Sequence, residues 1–299
     1  MLLDAFLPAP SAVEEGRIEG LRSAALELPL IPATDGNVES EWQRNLRTLR
    51  YSIATRDPRN FLRWDVVRHT MFHEAHAAEF DHLNGLSTWP KYRAALVESP
   101  IGRPRPYSLM ASTSGNLVHH AYSYSQLFDA FSLEIGDCHH VFEFGGGYGS
   151  FARFTHQMGF SGKYTIFDLP EFSLLQWYFL SSLTSRSLSV ARGLNPNPGT
   201  AISLVAELAA VQKAADAVPI DVFVATWSIS ESPLAIRRQI FDRIGSPRYY
   251  LIAYQENFNG IDNVSYFQQF AAGRSDYSWD EHGIDHLPGN RYLLGKKCG

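Results

Sequence analysis

Apolar positions change their period once along this chain, near residue 138, and the change separates two kinds of structure. Before it the repeat is helical. Trp42, Leu46 and Leu49 recur at spacings of three and four, and Phe61, Trp64, Val67 and Met71 do the same, which predicts helices across 41–98. A linker marked by proline and glycine follows at 101–107, containing Gly102-Arg-Pro-Arg-Pro106. The run Ser114-Gly-Asn116 is placed to cap a further helix through 117–122. Residues 1–40 are dotted with prolines and weakly periodic. They read as an arm or as short helices on the body, serving either as a lid or as the contact of a homodimer.

After residue 138 short apolar runs alternate with helical stretches. Strands are predicted at 140–144, 164–167, 201–205, 221–226 and 249–254, and helices at 148–158, 171–183, 233–244 and 263–272. A loop is expected at 192–200, around Asn195-Pro-Asn-Pro-Gly199. The end, 276–297, reads as two strands joined around Leu287-Pro-Gly-Asn290. Asp221-Val-Phe-Val-Ala-Thr226 is apolar without alternation, as expected of a parallel strand covered on both faces. Alternating strands and helices argue for an α/β fold with a doubly wound sheet. The expected organisation is an arm at 1–40, a helical cap over the substrate at 41–137, and a Rossmann-like domain at 138–299.

Composition narrows the function classes. With 45% hydrophobic and 19% charged residues among 299, this is an ordinary globular chain able to bury a large core. A formal charge of −5 gives no footprint for nucleic acid. Aromatic residues, at 13%, gather near the motifs below and suggest an aromatic-lined pocket for a small-molecule substrate. Cys138 and Cys298 have neither metal spacing nor a disulfide pattern. No basic segment with an apolar core opens the chain, and no run reaches the roughly 18 apolar residues of a membrane span. The expectation is a soluble cytoplasmic protein with no membrane partner.

The chemistry is concentrated in Val141-Phe-Glu-Phe-Gly-Gly-Gly-Tyr-Gly149, where an apolar run ends in an acid and breaks into glycines. A second run, Lys163-Tyr-Thr-Ile-Phe-Asp168, ends in another acid. Strand, glycine turn, helix, strand, acid is how an open α/β sheet receives an adenosine-containing ligand, the last acid taking the ribose hydroxyls. A dinucleotide site wants G-x-G-x-x-G aimed at pyrophosphate. Here Glu143 precedes Gly145, Gly146, Gly147 and Gly149, and its carboxylate would repel phosphate but suits an ammonium and a sulfonium. The motif therefore reads as a site for S-adenosylmethionine rather than NAD.

The order of segments resembles the class I S-adenosylmethionine-dependent methyltransferases, whose seven-stranded sheet ends in an antiparallel hairpin. More narrowly, the chain resembles the bacterial sugar O-methyltransferase family from about residue 57 to the end. The likeness rests on Phe61-Leu-Arg-Trp64, Ser114-Gly-Asn-Leu-Val-His-His-Ala-Tyr122, Glu143-Phe-Gly-Gly-Gly-Tyr-Gly149 and Ile166-Phe-Asp-Leu-Pro170. It continues through Ala225-Thr-Trp-Ser-Ile-Ser-Glu231, Leu251-Ile-Ala-Tyr-Gln255 and His286-Leu-Pro-Gly-Asn290. Azetidine-2-carboxylate synthases are similar to this group. They cyclise S-adenosylmethionine on itself, the amine displacing sulfur and releasing methylthioadenosine. The resemblance thus implies methyl transfer to the hydroxyl of a sugar-like or other small natural product, or that cyclisation. A non-catalytic protein that only binds the ligand is a third reading.

Individual residues carry a functional and a plainer reading side by side. Glu143 either holds the ligand's ammonium or bonds nearby backbone N–H groups. Gly145, Gly146, Gly147 and Gly149 either approach the ligand or simply form a tight turn. Asp168 either takes the ribose or caps the next helix ahead of Pro170, with Leu169 beside the adenine and a further adenine contact near 205–207. Tyr148 either meets the sulfonium or amino-acid end of the ligand or packs against the cap. Trp227 and Ser228 end a strand where open sheets hold ligands, and Glu231 either orients a base or opens a helix. Asn116 shares a helical face with His119 and His120, as ligand contacts or as a satisfied histidine pair in an interface. His282 and His286, the latter next to Asp285, are further candidates for a general base. No metal is expected.

Overall fold

The computed structural model describes residues 7–29, 41–183, 189–192 and 201–299. The expected loop at 192–200 lies outside the described residues, apart from Arg192, as do 1–6 and 30–40 of the arm.

Among the described residues six α-helices precede the sheet: α1 (Ala12–Glu27), α2 (Glu41–Thr55), α3 (Asp65–Thr70), α4 (Ala77–Gly85), α5 (Trp89–Ala95) and α6 (Gly115–Phe128). α1 begins at a capping box in which the Ser11 hydroxyl accepts from the Glu14 N–H and the Glu14 carboxylate accepts from the Ser11 N–H. The weak periodicity of this segment thus hides one long helix. α6 begins as expected at Ser114, whose hydroxyl accepts from the Leu117 N–H at 3.2 Å, and it runs further than the sequence pattern indicated.

The strands are β1 (His140–Phe144), β2 (Lys163–Phe167), β3 (Val190–Arg192), β4 (Ile202–Val205), β5 (Val222–Thr226) and β6 (Tyr249–Gln255). A two-stranded ribbon, β7 (Asn257–Phe258) with β8 (Ile261–Asp262), precedes β9 (Tyr277–Gly283) and β10 (Asn290–Lys297). Helices α7 (Ser150–Gln157), α8 (Pro170–Ser181), α9 (Leu208–Ala217), α10 (Leu234–Arg243) and α11 (Asn263–Ala272) join them. The sheet order is β3-β4-β2-β1-β5-β6-β10-β9. The first six strands run parallel, and β10 is antiparallel to both β6 and β9. Among the described residues this sheet has eight strands rather than seven. β3 is the addition, three residues pairing only with β4 and too short to show a period. α9 was also not expected.

Alternate residues of each central strand enter different cores, as the pleat requires. Val141, Val224 and Leu251 join one buried cluster, and Phe142, Phe223 and Ile252 join the other. The first cluster is continuous with Ile18, Leu49, Phe61 and Leu117 of the preceding segment, so those helices lie on that face of the sheet. Glu143 has the same parity as Val141 and therefore points toward the side they cover. Among the described residues no helix is long and apolar enough to cross a membrane.

Candidate active site

A cavity of about 1070 Å³ opens at the carboxyl ends of β1, β2, β4, β5 and β6, beneath residues of α2, α6 and the segment after α3. This is where an open α/β sheet holds its ligand.

Its floor is the turn after β1. Gly145 has φ of 75°, and a Cβ there would lie 2.2 Å from the Ser228 Cβ, so glycine is required by both backbone and neighbour. Ser228 reaches back to donate from its hydroxyl to the Phe144 carbonyl, tying the ends of β1 and β5 together. Asp168 then organises the turn. Its Oδ2 accepts from the Gly147 N–H at 3.2 Å and from Gln176 at 2.8 Å, while Oδ1 accepts from the Leu169 N–H at 2.8 Å. Burial pushes this carboxyl up to about 7 against those hydrogen bonds. Glu143, also buried, accepts from the Tyr164 hydroxyl at 2.8 Å and is pushed up to about 8 by burial.

One wall is aromatic. Trp227 follows β5 directly, with φ of 64°, a left-handed conformation costly for a bulky residue and of the kind that clusters at functional sites. Its indole N–H donates to Asn290 Oδ1 at 2.7 Å, and its ring stacks on His73 at 5.9 Å with 7° between planes. His119 lies 4.8 Å from Trp227 and 4.0 Å from His73, centroid to centroid. Asn116 fastens this roof, its Oδ1 accepting from the His73 backbone N–H at 2.8 Å and its amide donating to the Tyr148 hydroxyl at 3.0 Å. Burial pushes His73 down to about 4 and His120 down to about 3, so both are neutral near pH 7. His73 Nε2, His119 Nε2 and His120 Nδ1 are buried without a hydrogen-bond partner among the described residues, and all three residues line the cavity. An unpartnered buried polar atom calls for an explanation, and a bound polar ligand is one.

The structure brings together most residues singled out in the sequence. Asn116, His119, His120, Glu143, Gly145, Gly146, Gly147, Asp168, Leu169, Trp227, Ser228 and Glu231 all line this cavity. Ala206, Glu207 and Leu208 lie where a further contact after β4 was expected. Glu231 accepts from Gln255 at 2.6 Å.

Four candidates are placed elsewhere. Tyr148 is buried behind the wall, edge-on to Phe61 at 5.6 Å and Phe179 at 5.1 Å, so it packs against the helices and touches the site only through Asn116. Gly149, with φ of 93°, is the N-cap of α7 and faces Leu180, because the loop has by then turned away from the cavity. His282, on β9, is partly exposed and paired with Asp280 at 3.5 Å, and it is not among the residues lining the cavity. His286 is set back behind His119, on Glu79. Among the described residues no three of His, Cys, Asp and Glu are arranged to hold a metal ion.

Sequence reasoning missed His73 and Glu79. The closeness of His69, His73 and His76 was the available signal. It lies in a stretch whose apolar residues have no clear period.

The sheet order, with its terminal antiparallel pair next to β6, is that of the Rossmann-like class I methyltransferase fold. No protein-family model and no curated protein matches the sequence. Among solved structures, similarity is found to an rRNA methylase from Streptococcus thermophilus at 14% identity, covering 57% of this chain and 93% of that one with a TM-score of 0.40. The mitomycin 7-O-methyltransferase MmcR is similar at 13% identity over 87% of this chain and 76% of its own, with a TM-score of 0.38. The 16S rRNA methylase ArmA follows at 10% identity over 87% and 100%, with a TM-score of 0.37. Likeness at this level does not bear on substrate or reaction; the chemistry rests on the residues of the site.

Proposed function

We propose that the chain is an S-adenosylmethionine-dependent methyltransferase acting on a hydroxyl of a small sugar-like or other natural-product acceptor. The placement of His119 carries this reading. His119 lines the same cavity as the glycine turn and the two acids, and its Nε2 is buried and unpartnered among the described residues.

The residues present fit the ligand. Asp168 can accept from two ribose hydroxyls beside the glycine turn. Glu143 offers a buried carboxylate that an ammonium would return to its charged form. Its charged form beside the glycine turn would repel a pyrophosphate. Leu169, Ala206 and Leu208 give contacts for a base, and Trp227 gives a ring face for positive sulfur.

Bound S-adenosylmethionine supplies a methyl group already activated by its sulfonium. The chain's own tasks are then to align the acceptor, exclude water and remove a proton. His119 Nε2 takes the hydroxyl proton as the oxygen attacks. His73 and His120, kept neutral by burial, add no positive charge that would repel the sulfonium. The cavity, at about 1070 Å³, slightly exceeds the roughly 300–1,000 Å³ typical of sites for one small ligand.

The test is product identity by mass spectrometry after incubation with S-adenosylmethionine alone and with a panel of hydroxyl compounds. Adenosylhomocysteine formed only with a hydroxyl compound supports the reading. Methylthioadenosine formed without one replaces it with intramolecular cyclisation. Ligand binding with neither product leaves a binding protein. His119→Gln is expected to lower turnover by about 10²–10⁴-fold, the usual contribution of a general base, with ligand affinity little changed.

A further inference from the structure

Behind the cavity wall a buried carboxylate joins three distant parts of the chain. Glu79 stands in the first turn of α4 and is 0% exposed. Its Oε2 accepts from the His76 backbone N–H at 2.9 Å, closing the start of that helix. Its Oε1 meets His119 Nδ1 at 2.7 Å and His286 Nε2 at 3.1 Å. His119 comes from α6, and His286 from the turn between β9 and β10. Removing a carboxylate from water costs several kcal/mol unless every lone pair is met. A single hydrophobic side chain would fill the same space without that cost, which makes a positioning role the natural explanation.

We infer that Glu79 is the positioning residue of the site: it fixes His119 as the Nδ1–H tautomer, which leaves Nε2 with a bare lone pair. The inference deepens the reading of His119 as the base and rests on it for its catalytic meaning. An ionised carboxylate only accepts, so each ring nitrogen directed at it carries a proton. For His119 this leaves Nε2 as acceptor, and Nε2 is the atom without a partner. Burial would raise the Glu79 carboxyl, but the hydrogen bonds from His119 and His286 pull it the other way, below its ordinary value, so it stays ionised. His286 braces the carboxylate from the other side and keeps Oε1 between the two rings. A proton taken up at His119 Nε2 would have its counter-charge on the far side of the ring, where Glu79 Oε1 lies 2.7 Å from Nδ1.

Glutamine at this position inverts the arrangement. If its oxygen keeps the His76 N–H, its amide group must donate toward His119 Nδ1, which then accepts and moves the ring proton to Nε2. The other orientation leaves two donors facing each other at the start of α4.

The experiment is a long-range ¹H–¹⁵N correlation spectrum of the ¹⁵N-histidine-labelled full chain, with the His119 ring assigned through His119→Gln. The expected result is a protonated Nδ1 and a bare Nε2 in the wild type, and a shift toward Nε2–H in Glu79→Gln. Wild-type Nε2–H, or a folded Glu79→Gln with an unchanged His119 spectrum, overturns the inference. If Glu79→Gln does not fold, the wild-type spectrum still decides. Because no ligand is present, the result stands apart from the turnover test. Calorimetry with S-adenosylhomocysteine should give the same affinity within about twofold for folded Glu79→Gln, whose substituted residue does not line the cavity.

Discussion

Removing the Asp168 carboxylate should separate what it does for the fold from what it does for the ligand. In the free protein the carboxylate meets three donors, from Gly147, Leu169 and Gln176. Losing them costs about 1 kcal/mol each. Removing a buried charge that burial has pushed up to about 7 offsets part of that cost, so the melting temperature of Asp168→Ala should fall only modestly. Ligand affinity has no such offset. Two ribose hydroxyls left without their acceptor cost about 1–3 kcal/mol, or roughly 5- to 150-fold in Kd.

The pH dependence gives an independent check, because hydroxyls donate to the charged form. Methylthioadenosine carries the ribose but no ammonium, and so reports on Asp168 without Glu143. With the carboxyl at about 7 in the free protein, the ionised fraction falls from about nine-tenths at pH 8 to about one-tenth at pH 6. The affinity of the wild type should fall about tenfold over that interval, with proton release on binding at the acid end. Stability moves the opposite way. A carboxyl raised from 3.8 to about 7 on folding contributes stability that is present below the lower value and lost as pH rises through the upper one. The assay is calorimetry in buffers of different ionisation enthalpy. A pH-independent Kd for wild type, or full affinity in a folded Asp168→Ala, would refute the ribose assignment.

Glu143→Gln should weaken S-adenosylhomocysteine by about 1.5–3 kcal/mol through loss of a charge-assisted bond to the ammonium, while leaving methylthioadenosine binding unchanged in calorimetry. Equal losses for both ligands would mean that Glu143 supports the turn rather than the amino-acid end. Gly145→Ala should destabilise the fold, since φ of 75° costs about 1–2 kcal/mol for any residue with a Cβ and Ser228 leaves that Cβ no room. A melting temperature within about 2 °C of wild type would show that the turn relaxes freely.

The fold was legible because its signals are local. Continuous apolar runs at β1, β5 and β6 mark strands covered on both faces, and the turn residues between them mark the crossovers. The additional strand β3 had no such signal. Three residues pairing with β4 are held by tertiary context alone. The start of α1 was readable in Ser11 and Glu14, since the capping box needs only those two positions, yet the expected arm obscured it.

The site divided along a different line. Residues whose role follows from their place on a strand or in its turn, such as Glu143, Asp168 and Trp227, could be identified because the strand carries them to the rim. Tyr148 shows the limit of that reasoning. One step along the glycine turn reverses which side a residue faces, and Tyr148 packs away from the cavity while Gly147 lines it. The histidines show a deeper limit. Nothing in sequence distinguishes His119 from His120, which are neighbours on one helix and both line the cavity. They differ in what stands behind them: His119 has Glu79, and His120 has no partner at Nδ1. A buried ring without a partner is merely kept neutral, whereas a ring backed by a buried carboxylate can accept a proton without leaving an unpaired charge. On the proposed reading, the property that separates the base from a bystander is therefore a contact between residues 40 positions apart.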